Sequence, residues 1–64
     1  MIHVNGRDDE FIAESVEALI ARLGIEPRGI AVALDGELVR RSEWSSTLIP
    51  DESNVEIVTA AAGG

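Results

Sequence analysis

Ser15-Val16-Glu17-Ala18-Leu19-Ile20-Ala21-Arg22-Leu23-Gly24-Ile25 holds one amphipathic helix with its start and stop signals. Ser15 suits the N-cap, because its hydroxyl can accept from a backbone N–H of the first turn. Glu14 and Glu17 place negative charge where the helix macrodipole favours it. Val16, Leu19, Ile20 and Leu23 recur at i, i+3, i+4 and i+7 and make a single apolar stripe. Gly24 is expected in the left-handed conformation that ends a helix, with Ile25 folding back onto Ile20 in a Schellman ending. Pro27 bars continuation. The spacing predicts a helix over 16–23.

Strand signals lie on both sides. Upstream, Ile2 and Val4 alternate with His3 and Asn5, the pattern of a strand with one apolar face. Asn5-Gly6 follows, a hairpin signal because both residues tolerate the positive φ of a type I′ turn. Residues 8–13 are read as the return strand, with Phe11 and Ala13 toward the core. Downstream, Ile30-Ala31-Val32-Ala33-Leu34 alternates large residues with alanines, and Asp35-Gly36 is a second tight-turn signal leading into a strand at Leu38-Val39-Arg40. Ser42-Glu43-Trp44-Ser45 reads as a capped single helical turn. Leu48 and Ile49 form an apolar anchor before a turn at Pro50-Asp51-Glu52, and a last strand is expected from Val55 to about Ala60. The order is ββ-α-ββ-turn-β. One helix cannot cover two sheets, so the expected architecture is α+β, a mixed sheet of about four to five strands packed on one α-helix. The connection through the helix is long enough to cross the sheet. Residues 1–60 are expected to form the domain and residues 61–64 a flexible tail.

Composition narrows the functional classes. A chain of 64 residues makes one small domain, and at that size only about 60% of the unfolded surface is buried. Hydrophobic residues make up 45% of it, normal for a globular fold. There is no cysteine, hence no disulfide scaffold, thiolate metal site or cysteine nucleophile. The start of the sequence lacks the basic region and apolar run of a signal peptide, and no segment approaches the roughly 20 apolar residues needed to span a bilayer. A cytoplasmic location is the expectation. The net charge of −7, from twelve acids against five arginines and no lysine, opposes phosphate backbones and anionic membranes and favours solubility or a partner with a basic face.

Few side chains suit catalysis. His3 is the sole histidine, with no second histidine or cysteine to share a metal and no nucleophile to orient. Trp44, the sole tryptophan, reads as a packing residue, since large aromatics dominate small cores. Asp8-Asp9-Glu10 reads as a solvated turn, and a paired-carboxylate hydrolase needs a pocket that so short a chain has little room to build. Asp35-Gly36 lacks calcium-loop spacing, and no glycine-rich phosphate loop is present.

The remaining candidate is the end of the sequence, Ala61-Ala62-Gly63-Gly64. Fraying is the commonest fate of chain ends. Against that, two glycines without Cβ atoms let an extended backbone thread a narrow channel into another protein's active site. A terminal carboxylate on Gly64 is unhindered, but with a reference pKa of about 3.3–3.7 it is ionised at neutral pH and a poor electrophile. It needs ATP-dependent activation by a partner. The chain then acts as a carrier or substrate and not as an enzyme.

The whole chain resembles the ThiS family of ubiquitin-like sulfur carriers. The resemblance rests on Asn5-Gly6, on Ser15-Val16-Glu17-Ala18-Leu19-Ile20, on Gly29-Ile30-Ala31-Val32-Ala33-Leu34, on Val39-Arg40-Arg41-Ser42-Glu43-Trp44, and on Val55 through Gly64. The diglycine alone is weakly specific; the Arg-Ser-Glu-Trp segment together with the tail is much more so. Two departures are visible: Asp35 stands where the family more often has Asn, and Glu52-Ser53 where it usually has Gly-Asp.

The resemblance implies a β-grasp fold in which the first and last strands lie parallel in the middle of the sheet. It implies that Gly64 is the modified residue, adenylated and then converted to a thiocarboxylate, with Gly63 and Ala62 recognised as part of the tail. It also implies partners: a ThiF-like adenylyltransferase that uses ATP, a cysteine desulfurase as sulfur source, and thiazole synthase as acceptor. No bound cofactor or metal is expected. The nearest rival is the small subunit of molybdopterin synthase, whose members tend to be longer and often carry prolines before the diglycine. A rival of another class is a non-conjugating ubiquitin-like interaction module. A β-grasp ferredoxin would need cysteine ligands.

Overall fold

The computed structural model describes residues 1–10 and 15–59. The helix α1 spans Val16–Leu23. Ser15 Oγ accepts from the Ala18 N–H, and Gly24, at φ 71°, turns the chain out of the helix. The Gly24 N–H donates to Ala21 O and the Ile25 N–H to Ile20 O, the two bonds of a Schellman ending. The start of α1 is closed by a distant segment as well as by Ser15. Its Val16 N–H donates to Thr47 O at 3.0 Å and its Glu17 N–H to Trp44 O at 3.1 Å. With Ala18 bonded to Ser15 Oγ, the N–H groups of Val16, Glu17 and Ala18 all have partners before the first intrahelical bond, from Leu19 to Ser15 O.

The strands are β1 (Ile2–Val4), β2 (Arg7–Asp9), β3 (Ile30–Leu34), β4 (Glu37–Val39) and β5 (Asn54–Thr59). They form one five-stranded mixed sheet in the order β2-β1-β5-β3-β4. The central strand β5 runs parallel to β1, with Val4 opposite Val55, and antiparallel to β3, with Val32 opposite Ile57. Both hairpins turn on a left-handed pair, Asn5-Gly6 (φ 51° and 81°) and Asp35-Gly36 (φ 49° and 87°), as type I′ turns require.

Period-two alternation divides the sheet into two faces. Ile2, Val32 and Val55 point toward α1, where they meet Val16, Leu19 and Ile20 of the helix stripe. Val39, Trp44 and Ile49 close the end of this core. Trp44 is buried, its Nε1–H donates to Val39 O at 3.1 Å, and Arg41 lies over its ring at 5.6 Å from the centroid. Its role is packing, with a cation–π contact on the outer side.

The structure departs from the sequence-based expectations at element ends. β2 starts at Arg7 and ends at Asp9, so the return strand is short; Phe11 and Ala13 lie outside the described residues. Asp8 and Asp9 belong to this strand, as the reading of residues 8–13 as the return strand has it, and not to a solvated turn. Asp9 sits on the helix side, where its two carboxylate oxygens accept from Arg22 Nη1 at 2.9 and 3.1 Å. The single turn is a 3₁₀ segment at Arg41–Glu43 with no side-chain cap. Ser42 lies inside it, while Thr47 Oγ1 donates to Glu43 O just beyond. Of the Leu48-Ile49 anchor only Ile49 is buried.

Candidate functional site

The strand that leads to the diglycine is the one most constrained by the rest of the sheet. On one edge β5 pairs with β3 along its length, from Leu34 opposite Val55 to Ile30 opposite Thr59. On the other, β1 supplies two backbone bonds that flank its start: His3 N–H to Ser53 O at 2.9 Å and Asn5 N–H to Val55 O at 2.8 Å.

The first residue of each hairpin turn adds a side chain to this framework. Asn5 Oδ1 accepts from the Ile57 N–H at 2.7 Å and Asn5 Nδ2 donates to Ile57 O at 3.2 Å. From the opposite edge, Asp35 Oδ1 accepts from the Asn54 N–H at 2.8 Å, and the Asp35 N–H donates to Asn54 O at 2.7 Å. The two turns thus grip β5 from both edges, Asp35 at its start and Asn5 at its middle. Sequence reading assigned Asn5 and Asp35 to turn conformation alone. Their second function depends on a strand far along the chain, and local pattern carries no sign of it.

Among the described residues no element covers the sheet face away from α1. Ala31, Ala33, Leu38 and Val58 form an apolar strip across β3, β4 and β5, as the pairs Ala33–Leu38 and Ala31–Val58 place them side by side. Leu38 is 71% exposed and Val58 56%. Glu56, opposite Ala33, brings an acidic group to the edge of this strip, and His3 and Asn54 continue the same face toward β1. A face with apolar centre and polar margin is the composition of a protein-docking surface.

No catalytic constellation assembles from the described side chains. His3 Nδ1 and Asp8 Oδ1 lie 2.7 Å apart as an exposed cross-strand pair. His3, Asp35, Asn54 and Glu56 also border a shallow depression of about 470 Å³ between the two hairpin turns, but the Asp35 and His3 groups there are already engaged. Among the described residues no three His, Cys, Asp or Glu side chains are placed to hold a metal ion. No helix among them is long and apolar enough to cross a membrane. The candidate reactive residue Gly64, with Gly63 and Ala62, lies outside the described residues.

Comparison with known proteins agrees with this architecture. The model of the ThiS family matches residues 2–64, a span that includes Ala62, Gly63 and Gly64. A thiazole synthase of Paramagnetospirillum magneticum is 36% identical over 62 residues, covering 95% of this chain and 19% of the relative. The chain therefore spans about a fifth of that relative's length. The crystal structure of a thiamine biosynthesis protein (ThiS) from Geobacter metallireducens superposes with a TM-score of 0.80 at 27% identity, covering 98% of this chain and 97% of the other. The helix on a five-stranded mixed sheet, with β1 and β5 parallel at its middle, is the ubiquitin-like β-grasp arrangement, and with a family match running from the first strand to the diglycine, the chain belongs to the ThiS family.

Proposed function

We propose that this chain is a sulfur carrier of thiamine biosynthesis, bearing its sulfur as a thiocarboxylate on Gly64. The observation that carries the reading is the family match through Gly64 on a chain whose described side chains assemble no reaction centre of their own. A Gly64 carboxylate oxygen attacks the α-phosphorus of ATP on an adenylyltransferase, and pyrophosphate leaves. A sulfide equivalent, drawn from cysteine by a desulfurase, then attacks the acyl carbon, AMP leaves, and the product ionises to the thiocarboxylate. Every catalytic group belongs to the partners. The carrier contributes a rigid base, an unhindered end and a docking face.

Thiazole synthase is the proposed acceptor. Its support is the relative in which a segment resembling this chain forms part of a protein named thiazole synthase. The uncovered strip of Ala31, Ala33, Leu38 and Val58, with the tail, is the proposed docking surface for both partners. Successive binding to two enzymes calls for interfaces of modest size, and the charge of −7 raises encounter rates with basic partner surfaces.

The test is intact mass after incubation with ATP, a ThiF-like adenylyltransferase and a sulfur source. The expected product is heavier by the difference between sulfur and oxygen, and deletion of Gly64 abolishes the change. If a chain extended by a tag beyond Gly64 fully supports growth without thiamine, the proposal is wrong.

A further inference from the structure

The Asn5 carboxamide has a second role that the turn does not require. A type I′ turn needs positive φ at its first central residue, which glycine provides as well as asparagine does. At φ 51° the Asn5 backbone meets that need. Its carboxamide is exposed, so it contributes no core, yet it bonds both backbone groups of Ile57 at 2.7 and 3.2 Å.

The location gives this bond its consequence. β1 ends at Val4, whereas β5 continues to Thr59. The parallel ladder on the β1 side therefore runs out with Asn5 N–H to Val55 O, and the carboxamide supplies the next pairing in place of a backbone amide. Around Ile57 the strand consequently has a neighbour on both edges, β3 with Val32 opposite in the antiparallel register and Asn5 across the gap, and Asn5 takes both backbone groups of Ile57 itself. Without the carboxamide, the last residues of β5 are held by β3 alone and gain a hinge at the point where the chain leads on toward Gly64.

We propose that Asn5 is a positioning residue for sulfur loading: by bonding both backbone groups of Ile57 it fixes the direction in which β5 runs to Thr59, and so the place from which the segment bearing Gly64 starts toward an adenylating enzyme. The inference rests on the carrier reading above. Displacements near 1 Å in a reacting group are enough to cost about a hundredfold in rate, and a single hinge several residues away moves the end by more than that in some of its orientations while leaving others productive. An intermediate loss follows. Asn5→Gly is expected to lower kcat for ATP–pyrophosphate exchange by roughly tenfold while KM for the carrier stays within about twofold, because orientation is a term separate from docking. Asn5→Asp keeps the acceptor for the Ile57 N–H but loses the donor to Ile57 O, and it is expected to fall between the two.

The experiment pairs exchange kinetics, using an adenylyltransferase of the ubiquitin-activating type, with amide hydrogen exchange by NMR on the full chain. Support is a selective gain in Ile57 amide exchange in Asn5→Gly, with Val32 and Val55 still protected, together with the fall in kcat. Three results overturn it: wild-type kcat despite loss of Ile57 protection, Ile57 protection that survives the substitution, or faster exchange throughout β1 and β3 with kcat and KM changing together. Failure of the wild-type chain to support any exchange overturns the carrier reading instead, and is seen before any variant is tested.

Discussion

Asp35 and Asn54 bind each other twice, the Asp35 N–H donating to Asn54 O and the Asn54 N–H to Asp35 Oδ1. The side chain serves only as an acceptor, which aspartate and asparagine both provide. Aspartate therefore serves this contact as well as asparagine would. Asp35→Asn is expected to leave the unfolding free energy from urea denaturation within about 0.5 kcal/mol of wild type, as for surface substitutions that break no feature. Asp35→Gly keeps the turn but loses the acceptor, at a cost of roughly 0.5–1.5 kcal/mol. If the two variants prove equally stable, the bond to Asn54 contributes nothing.

Trp44 ties three parts of the molecule together, through its buried ring, its Nε1–H on Val39 O and its carbonyl on the Glu17 N–H of α1. Trp44→Ala removes the ring and is expected to cost about 3–5 kcal/mol. That approaches the whole stability of a domain whose total is about 5 kcal/mol at the lower end of the normal range. Trp44→Phe retains most of the packing and strands the Val39 carbonyl, for a loss of roughly 1–3 kcal/mol. Far-UV circular dichroism should show Trp44→Ala largely unfolded at 25 °C and Trp44→Phe folded with a lower midpoint.

The helix, its caps and both I′ turns were legible because each is set by neighbours within four or five residues: Ser15 with Ala18, Gly24 with Ala21, Asn5 with Gly6. What stayed hidden was long-range. That Thr47 and Trp44 would close the start of α1, that Asp9 would pair with Arg22, and that Asn5 would bond Ile57 all depend on how the strands come together. Asp8-Asp9-Glu10 read as solvent-facing because charge patterning does not reveal a partner on another element. The two hairpin pairings followed from their turn signals, whereas the parallel pairing of the first and last strands was anticipated only through family resemblance. The candidate end, Ala62-Gly63-Gly64, lies outside the described residues, and its reading rests on composition alone: two glycines act through what they lack, which needs no tertiary partner to see.

Glu52 occupies the left-handed region at φ 67° in the turn before β5, where Ser53 N–H donates to Pro50 O and the buried Ser53 hydroxyl donates to the same carbonyl. A residue with a Cβ pays roughly 1–2 kcal/mol there, while glycine loses about 0.4–1 kcal/mol more through the freedom of its unfolded chain. Glu52→Gly is therefore expected to stabilise the domain by about 0.5–1 kcal/mol. A chemical denaturation midpoint at or below that of wild type would contradict this.

The Met1 ammonium contacts Asp51 and Glu52. Its pKa is raised above the ordinary 8.0, chiefly by the hydrogen bond to Asp51, and that of Asp51 is lowered below 3.8, chiefly by the hydrogen bond to the ammonium. A raised amine pKa gives stability that is present below pH 8.0 and lost as pH climbs through the folded value. A lowered carboxyl pKa gives stability that is present above pH 3.8 and lost as pH falls through the folded value. The pair therefore acts between about pH 4 and pH 8. The difference in melting temperature between wild type and Asp51→Asn should be widest in that window and narrow on both sides. Both groups are well exposed, so the difference should also shrink at high salt. A difference that stays constant from pH 3 to pH 10 would remove the ion pair as its cause.

Leu38 and Val58 stand on the uncovered sheet face, where neither contributes to the core beneath α1. That separation makes docking measurable apart from folding. Leu38→Ala and Val58→Thr are each expected to change stability by less than about 0.5 kcal/mol, the usual range for exposed positions. If the strip of Ala31, Ala33, Leu38 and Val58 forms the centre of the partner interface, Leu38→Ala should weaken binding to the adenylyltransferase by about fivefold or more, the equivalent of the roughly 1 kcal/mol that separates central interface residues from peripheral ones. Glu56→Lys tests the acidic margin beside that strip and should act mainly through association rate, with an effect that fades as salt is raised. Titration calorimetry gives the affinities and stopped-flow mixing the rates. Unchanged affinity for Leu38→Ala, with the fold intact, would move the interface off this face, whereas a loss for Leu38→Ala that salt does not alter, beside one for Glu56→Lys that salt abolishes, separates the apolar contact from electrostatic steering.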